Sequence, residues 1–174
     1  WQIANDLKNM GYRTFQGNLV IDQSLFSDQK GHEIRRKYDT TDRSYEAPVT
    51  ALGINFNTYS VTVTGASSLR EKARLTLNPY PMENLQLVNQ IVTVSKKGKP
   101  RLRLTRHGSL PGKTRLIAKG EMPVGSSIEK VYVSCQNPSE SAGRYIKSFL
   151  RQEGIGISGK IKLGKLPTKA SLIY

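Results

Sequence analysis

The sequence predicts an α+β fold: a discontinuous α/β domain made of both chain ends, interrupted by a β-rich inserted domain. Three observations predict it. The 174-residue chain opens with a helix-period pattern followed by a strand-like run. It closes with the same pair in the same order. From Val49 onward, β-patterned segments follow one another between Pro- and Gly-rich turns. The expected boundaries are 1–57 plus 133–174 for the α/β domain and 58–132 for the all-β insertion. Nesting of this kind lets two distant helix–strand pairs share one core.

In order along the chain, Trp1, Ile3, Ala4, Leu7 and Met10 mark one face of a short helix closed by Gly11. Leu19, Val20 and Ile21 follow a Gly-Asn turn and read as a buried strand. Residues 27–47 are polar, of mixed charge and without period, as in a long loop. Tyr59, Val61 and Val63 alternate with Ser60, Thr62 and Thr64, which predicts a half-buried strand. KARLTL, QIVTVS, RLRLT, TRLIAKG and KVYVS continue the β pattern. In RLRLTR, Arg101 and Arg103 share one face and Leu102 and Leu104 the other, so this sheet has a wet, basic side. Asn137 as N-cap, Pro138 at N1 and Glu140 at N3 then have the layout of a capping box. Ala142, Tyr145, Ile146, Phe149 and Leu150 form the apolar face of that helix, Gly154 ends it, and IGISGKIKLG reads as a closing strand.

The formal charge is +14. Between Glu83 and Glu121 there is no acidic residue, and the gap holds Lys96, Lys97, Lys99, Arg101, Arg103, Arg106, Lys113, Arg115 and Lys119. These nine are the candidate polyanion-binding residues, with nucleic acid, anionic lipid or wall polymer as the classes of partner. A solvated surface that keeps the protein soluble is the plain alternative. Aromatic residues do not interleave with these cations, which argues against a platform for stacked bases. No apolar run approaches the length of a membrane span. The chain starts at Trp1 without Met, as expected of a mature fragment or an excised piece.

Several motifs tempt. Cys135 is the single cysteine, beside VYVS, and is expected to pack as a small apolar residue; with His32 and His107 far apart, no metal or other cofactor is expected. GIGISGK carries Gly154, Gly156 and Gly159 at dinucleotide-loop spacing and Lys160 at a phosphate-loop position. Here, though, the glycines follow a helix and enter a strand, the reverse of the order phosphate binding needs. Ser127 and Lys130 have the S-x-x-K spacing of a serine acyl-transfer enzyme, and Ser27 and Lys30 repeat it. That chemistry needs both side chains one helical turn apart, whereas SSIEK is a turn running into a strand. No S-x-N occurs, and Arg115 follows Lys113-Thr114 where glycine would stand. Asp22 in VIDQS, with no acidic or basic neighbour at useful spacing, is expected to shape a turn.

Three stretches together resemble a known family. LKNMGYRTFQGNLVIDQSLF is similar to the entry into the accessory region of class C low-molecular-mass penicillin-binding proteins, the D-alanyl-D-alanine carboxypeptidases and endopeptidases. Tyr45-Glu46-Ala47-Pro48-Val49-Thr50-Ala51-Leu52, followed by Asn55-Phe56-Asn57, resembles that family's Tyr-x-Ala-Pro and Asn-x-Asn signature. GRYIKSFLRQEGIGISGKIKLGKLP resembles its helix-Gly-Ile segment. In that family S-x-x-K, S-x-N and K-T-G lie on a transpeptidase-like domain, and an α/β domain, itself interrupted by a β domain, is inserted between the first two. The resemblance implies that this chain is that insertion, that none of the family's catalytic residues falls within it, and that it lies in the periplasm or otherwise outside the cytoplasm.

The partners implied are the catalytic penicillin-binding domain of the same parent protein, peptidoglycan or another anionic polymer, and a second subunit. Two readings from other classes stand beside this one: a basic nucleic-acid- or polyanion-binding protein, which no recognisable motif supports, and an active serine hydrolase using Ser127 and Lys130.

Overall fold

The computed structural model describes residues 1–26, 42–78, 84–108, 113–126 and 129–173. Its elements are α1 (Gln2–Asn9), β1 (Thr14–Phe15), β2 (Leu19–Asp22), β3 (Thr58–Thr64), β4 (Arg74–Asn78), β5 (Leu85–Val94), β6 (Arg101–Gly108), β7 (Thr114–Pro123), β8 (Glu129–Ser134), α2 (Pro138–Gln152), β9 (Gly156–Ile157) and β10 (Ile161–Gly164). The fold is α+β. Most of the loop predicted over 27–47 lies outside the described residues, and its described end forms a 3-10 turn at Ser44–Glu46. No helix among the described residues is long and apolar enough to cross a membrane. The chain forms two compact units, one of Trp1–Arg36, Pro48–Phe56 and Gln136–Tyr174, the other of Lys37–Ala47 and Asn57–Cys135.

In the first unit both helices stop by the same device. After α1, Gly11 takes φ +92° and donates to the Lys8 carbonyl at 2.9 Å, and Tyr12 donates to Leu7 at 3.1 Å. After α2, Gly154 takes φ +81° and donates to Arg151 at 3.0 Å, and Ile155 donates to Leu150 at 2.8 Å. This is the Schellman pattern, which uses the last free carbonyls and turns the next side chain inward. Tyr12 and Ile155 accordingly join Ala4, Leu7, Leu150, Phe15, Ile146, Phe149 and Ile157 in one apolar cluster.

Helix α2 starts at Pro138 as the sequence predicts, but the reciprocal cap does not form. Asn137 makes no side-chain capping bond, and the Glu140 carboxylate instead accepts from Arg144 at 2.5 Å, one turn further on. A charged donor at i+4 outcompetes a neutral backbone N–H for the same carboxylate.

The two chain ends pair as parallel strands. β1 lies beside β9 through Thr14↔Gly156, and β2 beside β10 through Leu19↔Ile161 to Asp22↔Gly164. The single closing strand expected from IGISGKIKLG is therefore two, interrupted at Ser158–Lys160. At the interruption Gly159 N donates to the Gly17 carbonyl at 2.8 Å and Gly17 N donates to Ser158 Oγ at 2.9 Å. A Cβ at Gly159 would collide with that carbonyl, so the crossing admits glycine alone. Helix α2 covers β2 and β10 through Gly143, which lies against Ile21 and Ile161.

The second unit holds two three-stranded sheets. One has the order β4-β3-β8 and is antiparallel; the other has the order β5-β7-β6, with β5 parallel and β6 antiparallel to β7. On one flank the chain leading into β4 runs along β5, with Arg70 N donating to Thr93 O at 2.8 Å and Ala73 N to Ile91 O at 3.1 Å. The opposite flank is closed by Asp42. Its carbonyl accepts from Ser134 N of β8 at 3.0 Å and its carboxylate from Arg106 N of β6 at 3.1 Å. Val61, Val63, Ile91, Leu116, Met122 and Val133 are fully buried. Strand β3 departs from the half-buried expectation: Thr58 and Ser60 are buried as well as Tyr59 and Val61. It is the central strand of its sheet, flanked by β4 and β8, so alternation in the sequence understates its burial.

Candidate polyanion-binding face

The basic side of the β5-β7-β6 sheet is set by register. Residues directly opposite in an antiparallel pair share a face. Arg101 faces Glu121, Arg103 faces Lys119, Thr105 faces Ile117, and His107 faces Arg115. All of these belong to the side away from Leu104, Leu116, Ala118 and Met122, which are buried. Strand β5 adds Gln86 beside Arg115 and Gln90 beside Lys119. Arg115 Nε donates to Gln86 Oε1 at 3.0 Å, which orients the guanidinium without neutralising it.

The structure thus brings Arg101, Arg103, Arg115 and Lys119 onto one exposed face. Lys96, Lys97 and Lys99 are exposed in the connection leading into Arg101, and Lys113 is exposed at the entry to β7. Arg101 has an acid opposite it; Arg103 has another cation. Like charges directly opposite are mutually unfavourable, so the Arg103–Lys119 pair is the part of the face that gains most from an anion.

Arg106 stands apart. Its Nη1 donates to the Ser134 carbonyl at 2.5 Å and to Ser134 Oγ at 3.0 Å, across the β6–β8 flank. It is a fastener of the unit rather than part of the wet face. The sign was in the sequence, since 106 has the parity of Leu102 and Leu104 and not of Arg101 and Arg103.

The other sequence candidates are dispersed. Ser127, Ser27, Lys30 and His32 lie outside the described residues. Lys130 is an exposed residue of β8, paired with Thr62. Thr114 sits in the ladder opposite Gly108. Cys135 is buried and its Sγ donates to the Tyr59 hydroxyl at 3.1 Å. Among the described residues no three His, Cys, Asp or Glu side chains gather as a metal site would require.

The N–H groups of GIGISGK that would have to cradle a phosphate are already used. Gly156 N donates to Arg13 O, Ser158 N to Phe15 O, Gly159 N to Gly17 O, and Lys160 N to Asn18 Oδ1. Asp22 shapes a turn: its carboxylate accepts from Ser24 N at 2.7 Å and Leu166 N at 2.7 Å. Hydrogen bonds from Ser24 and then Leu166 hold that carboxyl below its ordinary pKa.

The sequence places Phe56 only as the middle of the Asn55-Phe56-Asn57 signature; it takes φ +54° between two asparagines that also take positive φ. The available signal was the Asn-x-Asn triplet, because asparagine is the residue other than glycine that most readily enters the left-handed region.

The family model of the D-Ala-D-Ala carboxypeptidase 3 (S13) family matches residues 1–174. No curated protein matches. Among solved structures, penicillin binding protein 4 (dacB) from Haemophilus influenzae aligns at 18% identity with a TM-score of 0.60, over 97% of this chain and 36% of that one. The same protein complexed with a novel beta-lactam aligns at 19% identity with a TM-score of 0.58, over 97% of this chain and 33% of that one. At such identity the likeness is one of fold, and the chain spans about a third of the length of the solved chains it matches.

Proposed function

Because this chain belongs to the D-Ala-D-Ala carboxypeptidase 3 (S13) family, we propose that it is the non-catalytic accessory region of a serine-type D-Ala-D-Ala carboxypeptidase or endopeptidase. It acts outside the cytoplasm, in peptidoglycan remodelling, as a scaffold that supports or shapes the domain carrying the nucleophile. One observation carries the reading. The family model matches the entire chain, yet the chain corresponds to only about a third of a solved relative.

What the rest of the molecule offers is consistent with a scaffold. The segments near the two chain ends pair as parallel strands, so both belong to one core. Lys130 lies on a strand, where a residue three positions away faces the other side. The basic face of the β5-β7-β6 sheet is the surface suited to the anionic wall, including its carboxylate-bearing stem peptides.

Labelling with a fluorescent penicillin tests the reading. The chain alone is expected to form no covalent adduct, and the complete gene product is expected to form one. An adduct on the isolated chain, mapped to Ser127, overturns the proposal in favour of an active serine hydrolase. Sedimentation with purified sacculi at low and high salt tests the wall contact, which requires binding that weakens as salt rises.

A further inference from the structure

We propose that the outer face of the β5-β7-β6 sheet is a two-pronged carboxylate site, shaped for an extended peptide whose acids lie about 13 Å apart. The proposal rests on the wall contact suggested above and names its ligand. Register arranges this face in rows, each with one side chain from β5, one from β7 and one from β6. The first row is Gln86, Arg115 and His107. The second is Val88, Ile117 and Thr105, and the third is Gln90, Lys119 and Arg103. The first and third rows are exposed, and the second is half-buried. Arg115 Nε donates to Gln86 Oε1 at 3.0 Å, and Thr105 Oγ1 lies 3.3 Å from His107 Nε2, so the first row is held together on this side.

Each polar row sets a glutamine amide beside an arginine or lysine and contains no acid. A carboxylate accepts from both kinds of donor, most strongly from the charged one. Neighbouring rows are two residues apart, so the two polar rows are separated by about 13 Å along the strands. A peptide lying extended in that direction has the same rise, and its residues i and i+4 face the same side. Acids at those positions meet the two polar rows, while a small apolar side chain at i+2 meets Val88 and Ile117.

The same rows disfavour an evenly charged polymer. Each strand of a nucleic-acid duplex carries phosphates on the order of 3.4 Å apart. Such a ligand would set charge against Val88 and Ile117, where no cation stands. In the next row Glu121, between Val92 and Arg101, repels any anion that continues along β7. The face is therefore built for discrete anionic groups on an uncharged spacer, and in the wall these are the carboxylates of the stem peptides.

Sedimentation of this chain with purified sacculi at low salt tests the site. Arg115→Gln and Lys119→Gln each disarm one polar row, and each is expected to weaken binding about fivefold, because a two-point attachment becomes a single one. Ile117→Thr is expected to weaken it about threefold through lost apolar contact. Lys162→Gln removes the same charge from an exposed position on β10 and is expected to change binding by less than about twofold. Amidating the sacculus carboxylates with carbodiimide and ammonia is expected to abolish binding, which a phosphate-bearing wall polymer would survive. Equal losses in Lys162→Gln and the two row variants overturn the site, as does unchanged binding by Ile117→Thr or binding to amidated sacculi. A single-stranded oligothymidylate that binds as tightly as sacculi, with the same losses in the row variants, overturns it in favour of nucleic acid. Penicillin labelling of the chain alone separates the two failures. An adduct removes the accessory-region reading, whereas lost carboxylate selectivity without an adduct removes this site alone.

Discussion

The Lys8 ammonium meets the Glu153 carboxylate at 2.9 Å, joining residues 145 positions apart, and the indole Nε1 of Trp1 donates to the other carboxylate oxygen at 3.1 Å. Glu153 occupies the C-cap of α2, where the helix dipole is hostile to negative charge. The carboxyl is nonetheless held below its ordinary pKa, first by the hydrogen bond from Lys8. The direct charged contact outweighs the dipole.

That contact predicts an acid limb of stability. A carboxyl depressed in the folded state contributes fully above the ordinary glutamate range and loses its contribution as pH falls through the folded value. Thermal midpoints of wild type and Glu153→Gln, measured from neutral pH to about pH 3, are expected to differ most at neutral pH and to converge in acid. Parallel curves would show that Glu153 contributes no pH-linked stability.

Arg106 and Arg103 differ by three positions and are expected to differ sharply in effect. Arg106→Ala removes a charged donor from the buried Ser134 carbonyl and costs about 2–3 kcal/mol. Arg103→Ala on the wet face stays within about 0.5 kcal/mol. Urea unfolding of the two variants measures the contrast, and equal losses would mean that Arg106 does not fasten the flank.

Lys119→Glu should move stability and binding in opposite directions. It turns the Arg103–Lys119 like-charge pair into an opposite-charge pair and stabilises the unit by about 0.2–1 kcal/mol. The same change removes a cation from the basic face and weakens salt-sensitive sedimentation with sacculi. A variant that unfolds earlier, or binds sacculi undiminished, contradicts the assigned face.

Gly159→Ala probes the crossing of the chain ends. The added methyl has no room beside the Gly17 carbonyl, so the β1–β9 and β2–β10 ribbon must shift, at about 1–3 kcal/mol. Chemical denaturation checks this. A neutral substitution would mean that the ribbon opens without loss, and that the ends are held together elsewhere.

Much of this architecture is readable in the chain. The helix at Pro138–Gln152 and its Gly154 stop follow from spacing and one glycine, because caps and apolar stripes are local properties. So is the separation of Arg101 and Arg103 from Leu104, because strand alternation has a period of two. Arg106 was equally readable by parity, and it is composition, the run of cations, that obscures it. The Asn137–Glu140 cap was legible as a pattern and still did not form, because Arg144 competes for the same carboxylate.

The sequence by itself determined both helices, the course of most strands and, through three motif stretches, the family; the split of the closing strand and the burial of both faces of β3 it did not. Partners distant in the chain were decided by tertiary structure alone. The parallel register of Leu19 with Ile161 and the Asp42 bridge between Arg106 and Ser134 are both of this kind. The physical reason is that local periodicity records only what a residue's neighbours in sequence do to its backbone and burial. Pairing between segments far apart in the chain depends on which surfaces meet when the cores close, and a single sequence carries no local trace of that choice.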